Sequence, residues 1–543
     1  MKYVSVAEMI AIEKESDAAG HTYPQMMERA GRGLAETAHS AYNHLDEKSV
    51  LALVGSGNNG GDALVALSYL LDWGWDAAAY IVRSRPDDDP LMQRVRAAGG
   101  TMLTLADDPD YKKLKAALTH HKLLMDGVLG TGIRLPLRGQ VAHVLDWVRE
   151  TITKMDTPLQ VVAVDCPSGV DSDTGEAAPE CIPADLTVTM AAVKRGLLQF
   201  PAYKLVGVLK TVDIGLPQGL DAYDSVKREV VNAEWVSGVL PPRPLDAYKG
   251  TFGTALILAG SVNYTGAVLL AGKAAYRIGA GLVTCGLPGP LHTVLAGQLP
   301  EATWLLLPHK TGVISADAAK IVKQNLERAT ALLIGPGLGV EDTTAEFVER
   351  FLDAESFNIK GHLGFVHSSA DDTEGQQTKI PPLVIDADGL RLLARIPNWA
   401  QKLPAPAVLT PHPGEMSALT GLETKDIQAD RVGVAERFAD EWGHVVVLKG
   451  AFTVIASPNS AAPTMIVPVA SPALARAGSG DVLAGVIVGL RAQGLDAFPA
   501  AAAGAWIQAQ AGLRAADVLG STAAVIAGDL IGALPDVLVM LKQ

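Results

Sequence analysis

Short apolar runs alternate with amphipathic stretches through most of the chain. Ser5 and Glu8, in S-x-x-E spacing, predict a capping box that opens a first helix. After Pro24, Met27, Ala30 and Leu34 fall on one face of a second. The pattern then changes to β-type runs at 50–54, 77–82, 123–125, 161–164 and 186–190, separated by helical stretches. This alternation predicts α/β architecture with a mostly parallel sheet. Gly215-Leu-Pro217 and Pro241-Pro-Arg-Pro244 punctuate the region 215–250, and a second series follows at 255–258, 331–334, 383–385, 407–409 and 445–448. A boundary is therefore expected near residue 225, giving domains 1–225 and 226–543. The last ~70 residues are rich in Ala and Gly and predict packed helices. The segment 355–379 reads as an inserted polar surface loop. Residues 251–272 carry no charge over 22 positions, which is membrane-span length. The polar turn 260–266 splits that stretch into a strand and a helix, so no span is expected.

Composition narrows the classes. A chain of 543 residues predicts more than one core. With 48% apolar and 19% charged residues, disorder is excluded for the bulk of the chain. The net charge of −14 argues against a general nucleic-acid binder. Cys166, Cys181 and Cys285 are too scattered for a disulfide framework or a zinc site. A reducing, cytoplasmic setting is expected, and the first eight residues lack the apolar region of a signal peptide.

Three polar loops of the first half follow β-runs. Gly55-Ser-Gly57-Asn-Asn-Gly60 matches G-x-G-x-x-G, and Arg83 and Arg85 end the next run where a 2′-phosphate partner could lie. The fuller string Gly57-Asn-Asn-Gly-Gly-Asp62 adds two side-chain amides to the backbone N–H groups of a strand–helix turn. Asp126-Gly-Val-Leu-Gly-Thr-Gly132-Ile-Arg134 and Val164-Asp165-Cys-Pro-Ser168-Gly169 supply the other two. Loops at the carboxyl ends of parallel strands converge on one crevice.

The strings GNNGGD, DGVLGTG and DCPSGVDSDTG, with Met26-Met-Glu-Arg-Ala-Gly31, closely resemble the YjeF N-terminal family, the NAD(P)HX epimerases, over about residues 1–215. The resemblance implies a Rossmann-like parallel-sheet domain that interconverts R and S forms of NADHX or NADPHX, the hydrated nicotinamide cofactors. It implies a potassium ion on Asn59, Asp126 and Ser168, all oxygen donors as a hard cation requires. Substrate phosphates and riboses would lie on Asn58, Asn59, Gly60, Gly61 and Asp62, and on Gly130, Thr131, Gly132, Ile133, Arg134, Leu135 and Pro136. Asp165 is the candidate acid/base, because epimerisation at a carbinolamine carbon needs proton transfer; a turn-capping role is the alternative. Lys194 stays open between charge near the site, a structural role and plain exposure.

In the second half, Ala477-Gly478-Ser479-Gly480-Asp481 places glycines before a helix with an aspartate in its first turn. Such a terminus offers N–H donors to a phosphate, and the aspartate can accept a proton from an attacking hydroxyl. The dipole is expected to keep Asp481 ionised at neutral pH. Gly335-Pro-Gly337-Leu-Gly339, Asp386-Ala-Asp388-Gly389, Thr410-Pro-His412-Pro-Gly-Glu415 and Lys449-Gly450-Ala451-Phe452-Thr453 each follow a β-run. This order resembles the ribokinase-like superfamily. More closely, with Lys249-Gly-Thr-Phe-Gly253 and the run from Ala255, it resembles the YjeF C-terminal family, the ADP-dependent NAD(P)HX dehydratases, over about residues 230–540.

That resemblance implies a ribokinase-like α/β domain that dehydrates the S form, with ADP giving AMP and phosphate. Asp481 would be the base and Gly478, Ser479 and Gly480 the phosphoryl cradle. Lys449, Gly450, Ala451, Phe452 and Thr453 would bind ADP with Mg2+. His412 and Gly337 would contact the hydrated cofactor, Gly253 and Ala255 would belong to the cofactor-binding set, and Glu415 would organise magnesium or water. The expected partners are these small molecules, without nucleic acid or membrane, in a homo-oligomer. The rival reading is a vitamin-type kinase with a nucleotide-binding N-terminal module.

Overall fold

A computed structural model describes residues 1–86, 88–353 and 379–542, so the polar segment expected at 355–379 lies outside the described residues except for Lys379. The chain forms two compact units, Met1–Arg228 and Glu229–Gln543.

In the first unit the capping box forms as the sequence predicts. The Ser5 hydroxyl accepts the Glu8 N–H, and the Glu8 carboxylate accepts the Ser5 N–H at 2.7 Å. They open α1 (Val6–Ala18). Helix α2 (Tyr23–Tyr42) buries Met26, Ala30 and Leu34. Its stripe therefore starts one residue before Met27, which is only half-buried.

Seven strands build one parallel sheet: β1 (Ser49–Val54), β2 (Asp76–Ile81), β3 (Thr101–Thr104), β4 (Leu123–Gly127), β5 (Gln160–Val164), β6 (Leu186–Met190) and β7 (Val208–Val212). Their order is β3-β2-β1-β4-β5-β6-β7. The apolar runs did not announce β3 and β7. Both are edge strands, partly exposed, so they need no continuous apolar face. Helix α3 (Asn58–Asp72) follows β1 and packs along α2.

The second unit carries a ten-stranded sheet: β8 (Arg228–Val230), β9 (Thr254–Leu258), β10 (Leu282–Pro288), β11 (Thr303–Leu307), β12 (Ala331–Ile334), β13 (Leu383–Ile385), β14 (Val408–Leu409), β15 (Val445–Leu448), β16 (Val454–Ala456) and β17 (Thr464–Ile466). The order is β8-β17-β16-β15-β14-β13-β12-β9-β10-β11. Strands β9 to β15 are parallel, and β16 and β17 turn antiparallel.

Its helices include α4 (Gly266–Arg277), α5 (Pro413–Thr420), α6 (Arg431–Trp442), α7 (Ser479–Ala492), α8 (Ala497–Leu519) and α9 (Ala527–Met540). The polar turn does separate β9 from α4, and among the described residues no helix is long and apolar enough to cross a membrane. Helix α7 is buried from Val482 to Ala492, which explains its near-absence of polar residues. It packs on α4 through Gly485, where a Cβ would come within 2.3 Å of the Ala271 carbonyl oxygen. In both sheets the strand order reverses, between β1 and β4 and between β9 and β12. At such switch points α/β sheets open a crevice at the carboxyl ends of their strands.

Candidate functional site

In the first unit β1, β4 and β5 lie side by side, and the three predicted loops leave their carboxyl ends. Asn58, Asn59, Gly60, Gly61 and Asp62 form the first turn of α3, with Gly57 as N-cap. The N–H groups of Asn58, Asn59 and Gly60 have no acceptor within the helix and remain for a ligand, whereas that of Gly61 donates to the Gly57 carbonyl.

The Asn59 amide nitrogen donates to the carbonyls of Val164 (2.5 Å) and Leu129 (3.1 Å). The Ser168 hydroxyl donates to Asp126 Oδ1 (2.6 Å) and accepts the Leu129 N–H (2.9 Å), and the Ser168 N–H donates to Asp126 Oδ2 (2.8 Å). The three residues thus meet around Leu129. Asp126 is fully buried, no ammonium or guanidinium among the described residues pairs with it, and burial pushes its carboxyl up. A buried carboxylate of this kind among oxygen donors fits a hard monovalent cation. Asn59, however, turns its nitrogen rather than its oxygen to the carbonyls. The oxygens gathered here are those of Asp126, Ser168, Leu129 and Val164.

Asp165 has a left-handed backbone, φ 63°. Its Oδ1 accepts from Thr189 Oγ1 (3.0 Å), the Met190 N–H (2.9 Å) and the Lys194 ammonium (2.5 Å). Lys194 is fully buried and also donates to Thr189 Oγ1 and the Met190 carbonyl; plain exposure is excluded. Asp62 is buried, and desolvation drives its carboxyl well above the usual range, with Asp165 and Glu13 adding to the effect and Lys194 opposing it. Burial also raises Glu13, on α1. Glu13 gave no signal in the sequence, because α1 precedes the whole motif series.

Arg85 does not wait for a 2′-phosphate. It pairs with Asp89 (2.7 Å) and donates to the carbonyls of Gly55 (3.0 Å) and Gly57 (3.2 Å), bracing the glycine loop whose carbonyls lack strand partners. Gly130, Thr131, Gly132, Ile133, Arg134, Leu135 and Pro136 run half-exposed to exposed after β4.

In the second unit the polar residues follow β13, β14 and β15, which are adjacent and parallel. Lys449 Nζ lies 2.5 Å from Asp386 Oδ1 and 3.6 Å from Glu415 Oε2. Thr410 Oγ1 donates to the same Asp386 oxygen at 2.7 Å. Glu415 accepts the His412 N–H (2.8 Å), and His412 Nδ1 accepts the N–H groups of Gly414 and Glu415, which caps α5. Glu415 is therefore shared between His412 and Lys449. Among the described residues the oxygens of Asp386, Glu415 and Asp481 do not gather closely enough to hold one ion, and Lys449 takes the charges of Asp386 and Glu415. Asp386 is nearly fully buried. The sequence presents it as part of a D-A-D-G string without a role, although a carboxylate ending an apolar run is itself a signal.

Gly478, φ 87°, is the N-cap of α7, and Ser479, Gly480 and Asp481 form its first turn. The Ser479 hydroxyl is committed to the Leu474 carbonyl (2.8 Å) and its N–H to the Arg476 carbonyl (3.2 Å), so Ser479 braces the turn. A Cβ on Gly480 would sit 3.6 Å from Lys449 Nζ and 3.7 Å from Asp386 Oδ2, so the helix terminus faces that ion pair. The expectation for Asp481 is corrected here. Burial, then the Asp386 charge, raises its carboxyl to about 7, with Lys449 opposing. The dipole term of about 0.3–1 kcal/mol is smaller than such desolvation.

Gly450, Ala451, Phe452 and Thr453 turn the chain from β15 into β16; the Phe452 N–H donates to Val469 and the Thr453 hydroxyl to Gly450. Gly337 follows β12 and lies against Tyr264 and Ala267. Gly253 and Ala255 are not brought to this edge. Gly253 immediately precedes β9 and Ala255 is its second residue, at the amino ends of the strands, where Ala255 is fully buried between Val283 and Ala331. A Cβ on Gly253 would lie 1.9 Å from the carbonyl oxygen of Ala492, the last residue of α7. At 1.5 Å per residue that end is about 16 Å from Asp481.

Comparison with known proteins agrees with this layout. The sequence model described as YjeF-related protein N-terminus matches residues 24–196, and that described as NAD(P)H-hydrate dehydratase matches 255–359 and 368–535. The chain is 36% identical over 525 residues to a bifunctional NAD(P)H-hydrate repair enzyme of Moorella thermoacetica, covering 95% of this chain and 93% of that protein. It is 37% identical over 535 residues to the corresponding enzyme of Salinibacter ruber, covering 94% and 91%. Among solved structures, the ADP/ATP-dependent NAD(P)H-hydrate dehydratase of Bacillus subtilis, co-crystallised with ATP/Mg2+, is 30% identical with a TM-score of 0.45, covering 57% of this chain and 98% of that one. With both family regions present in order and nearly the whole length matched, the chain belongs to the bifunctional NAD(P)H-hydrate repair enzymes, which join an epimerase and a dehydratase in one polypeptide.

Proposed function

We propose that the first unit epimerises R- and S-NAD(P)HX with Asp165 as the acid/base, and that the second dehydrates the S form with ADP as phosphoryl donor and Asp481 as the base. In the first unit the described donors to Asp165 all converge on Oδ1, which leaves Oδ2 for substrate. Asp165 takes the proton of the ring hydroxyl as the carbinolamine C–O becomes a carbonyl and the C–N bond opens; the nitrogen takes a proton, and reclosure on the other face reverses both transfers. The first turn of α3 and the loop 130–136 hold the substrate phosphates and riboses. Asn59, with its amide turned, joins Asp126 and Ser168 in holding potassium, which neutralises the buried Asp126 charge when bound.

In the second unit Asp481 takes the proton of the substrate hydroxyl as that oxygen attacks the β-phosphorus of ADP, and AMP leaves. Gly478 and Gly480 present backbone N–H groups to the transferring phosphoryl group, and Ser479, its own N–H on the Arg476 carbonyl, holds the turn between them. The ring then loses phosphate from its hydrated carbon and a proton from the neighbouring carbon, which restores the dihydronicotinamide. Lys449 and the turn 450–453 hold the nucleotide, His412 and Gly337 the hydrated cofactor, and Glu415 would organise magnesium or water beside the phosphates. The observation that carries the reading is the placement of Asp481 in the first turn of α7, at a helix terminus that faces the Lys449–Asp386 pair. Its carboxyl, at about 7, is half-ready as a base at neutral pH.

The test is incubation of the full chain with mixed R- and S-NADHX and ADP. Recovery of dihydronicotinamide absorbance beyond the S fraction, with release of free phosphate, is the expected result. A stable phosphorylated product without absorbance recovery would instead mark a small-molecule kinase.

A further inference from the structure

Arg431 lies at the start of α6, eighteen residues before Lys449, outside every motif discussed above. Its Nη2 donates to the carbonyls of Leu448 (2.8 Å) and Lys449 (3.2 Å), and its Nη1 to Gln428 (2.9 Å). The guanidinium also lies flat beneath Gly450, where a Cβ would sit 3.0 Å from Nη2. Gly450, at φ 146°, has a backbone that side chains rarely adopt, so the turn above the guanidinium is built for close approach. The Arg431 Nε is buried without a hydrogen-bond partner. No carboxylate among the described residues forms an ion pair with this side chain, although burial lowers its guanidinium to about 10, still charged at neutral pH. Lys449, by contrast, has opposite charges beside it in Asp386 and Glu415. A partly buried cation without an anion costs free energy unless something else supplies the charge.

We infer that Arg431 is a positioning residue of the dehydratase, holding the start of the turn 449–453 through two carbonyls and setting an uncompensated positive charge behind the diphosphate of the bound nucleotide. The inference rests on the reading that this turn binds ADP. The Lys449 carbonyl pinned from below turns the Gly450 N–H away from the guanidinium, while the Lys449 N–H is held by the Pro411 carbonyl and the Phe452 N–H by that of Val469. The guanidinium acts through the loop and through its field rather than by touching the reacting atoms. Its contribution should therefore grow with the number of phosphates on the ligand.

The experiment uses the full chain with Arg431→Met, Arg431→Lys and Gly450→Ala. It measures KM for ADP and for S-NADHX, kcat of dehydration, and the inhibition constant of the product AMP. For Arg431→Met the KM for ADP should rise about tenfold, as expected for loss of a charge-assisted contact, while the AMP constant rises only about twofold. The kcat and the KM for S-NADHX should change little. Arg431→Lys, which keeps the charge but not the fork, should weaken ADP and AMP by similar factors. Retained epimerisation and an unchanged melting profile show that the chain is folded. Should Arg431→Met disrupt the second unit, the Arg431→Lys comparison alone decides. A KM for ADP within twofold of wild type in a folded variant would overturn the inference, as would equal weakening of ADP and AMP in Arg431→Met, which marks packing alone. If Gly450→Ala raises the KM for ADP and Arg431→Met does not, only the role of Arg431 fails. If neither moves it, the turn does not bind the nucleotide.

Discussion

Replacing Asp481 by Asn separates catalysis from stability. The carboxyl of Asp481 stands at about 7 instead of its ordinary 3.8, because burial and the Asp386 charge disfavour the anion. A displacement of that size corresponds to about 4 kcal/mol between the two protonation states, and residual solvent access reduces what unfolding recovers to about 2–4 kcal/mol. The direction follows from proton binding. Between about pH 4 and pH 7 the folded state holds the proton that the unfolded state has released, so stability falls as pH rises through this window and the full penalty applies above it. Asn cannot ionise and escapes the penalty. Asp481→Asn should therefore match wild type near pH 4 and exceed it by about 2–4 kcal/mol above pH 8, while dehydration drops about a hundredfold or more. Urea unfolding followed at Trp235, Trp304, Trp399, Trp442 and Trp506, in the second unit, reads the stability term; recovery of dihydronicotinamide absorbance reads the rate. A variant no more stable at pH 8 than at pH 4, relative to wild type, would refute the burial argument. Near wild-type dehydration would remove Asp481 from the chemistry.

Asp386→Asn removes the like charge that helps raise Asp481, so the rising limb of kcat/KM for dehydration should move from about pH 7 to lower pH, as a pH–rate profile would show. Lys194→Met leaves Asp165 buried without its cation and should cost the first unit about 3–5 kcal/mol, partly restored in the double variant with Asp165→Asn; hydrogen exchange in β6 reports it. Asp126→Ala should abolish the potassium dependence of epimerisation and leave dehydration intact, measured in titrations of potassium against a sodium background; equal loss of both activities would indicate misfolding.

The alternation of apolar runs and amphipathic stretches was enough to show α/β architecture, the interior strands and the loops that follow them, because a strand buried on both faces must be apolar throughout. The S-x-x-E box and the glycine before Asp481 likewise reported α1 and α7, since capping is local chemistry. Pro and Gly punctuation places a junction near 225 in the sequence; the compact units are Met1–Arg228 and Glu229–Gln543. Local sequence carried no information about β3 and β7, edge strands whose exposed positions erase the pattern.

Nor could it say which end of β9 a residue occupies in space, and so Gly253 and Ala255 were grouped with loops that lie at the opposite edge of the sheet. Charge pairing was equally silent. Lys194 meets Asp165 from 29 residues away, and Lys449 meets Asp386 from 63. The ionisation of Asp481 depends on burial that only packing creates. Propensity, capping and periodicity act over a few residues and are written in order along the chain. Desolvation and Coulomb interactions depend on distances across the fold, and these exist only once the strands have assembled.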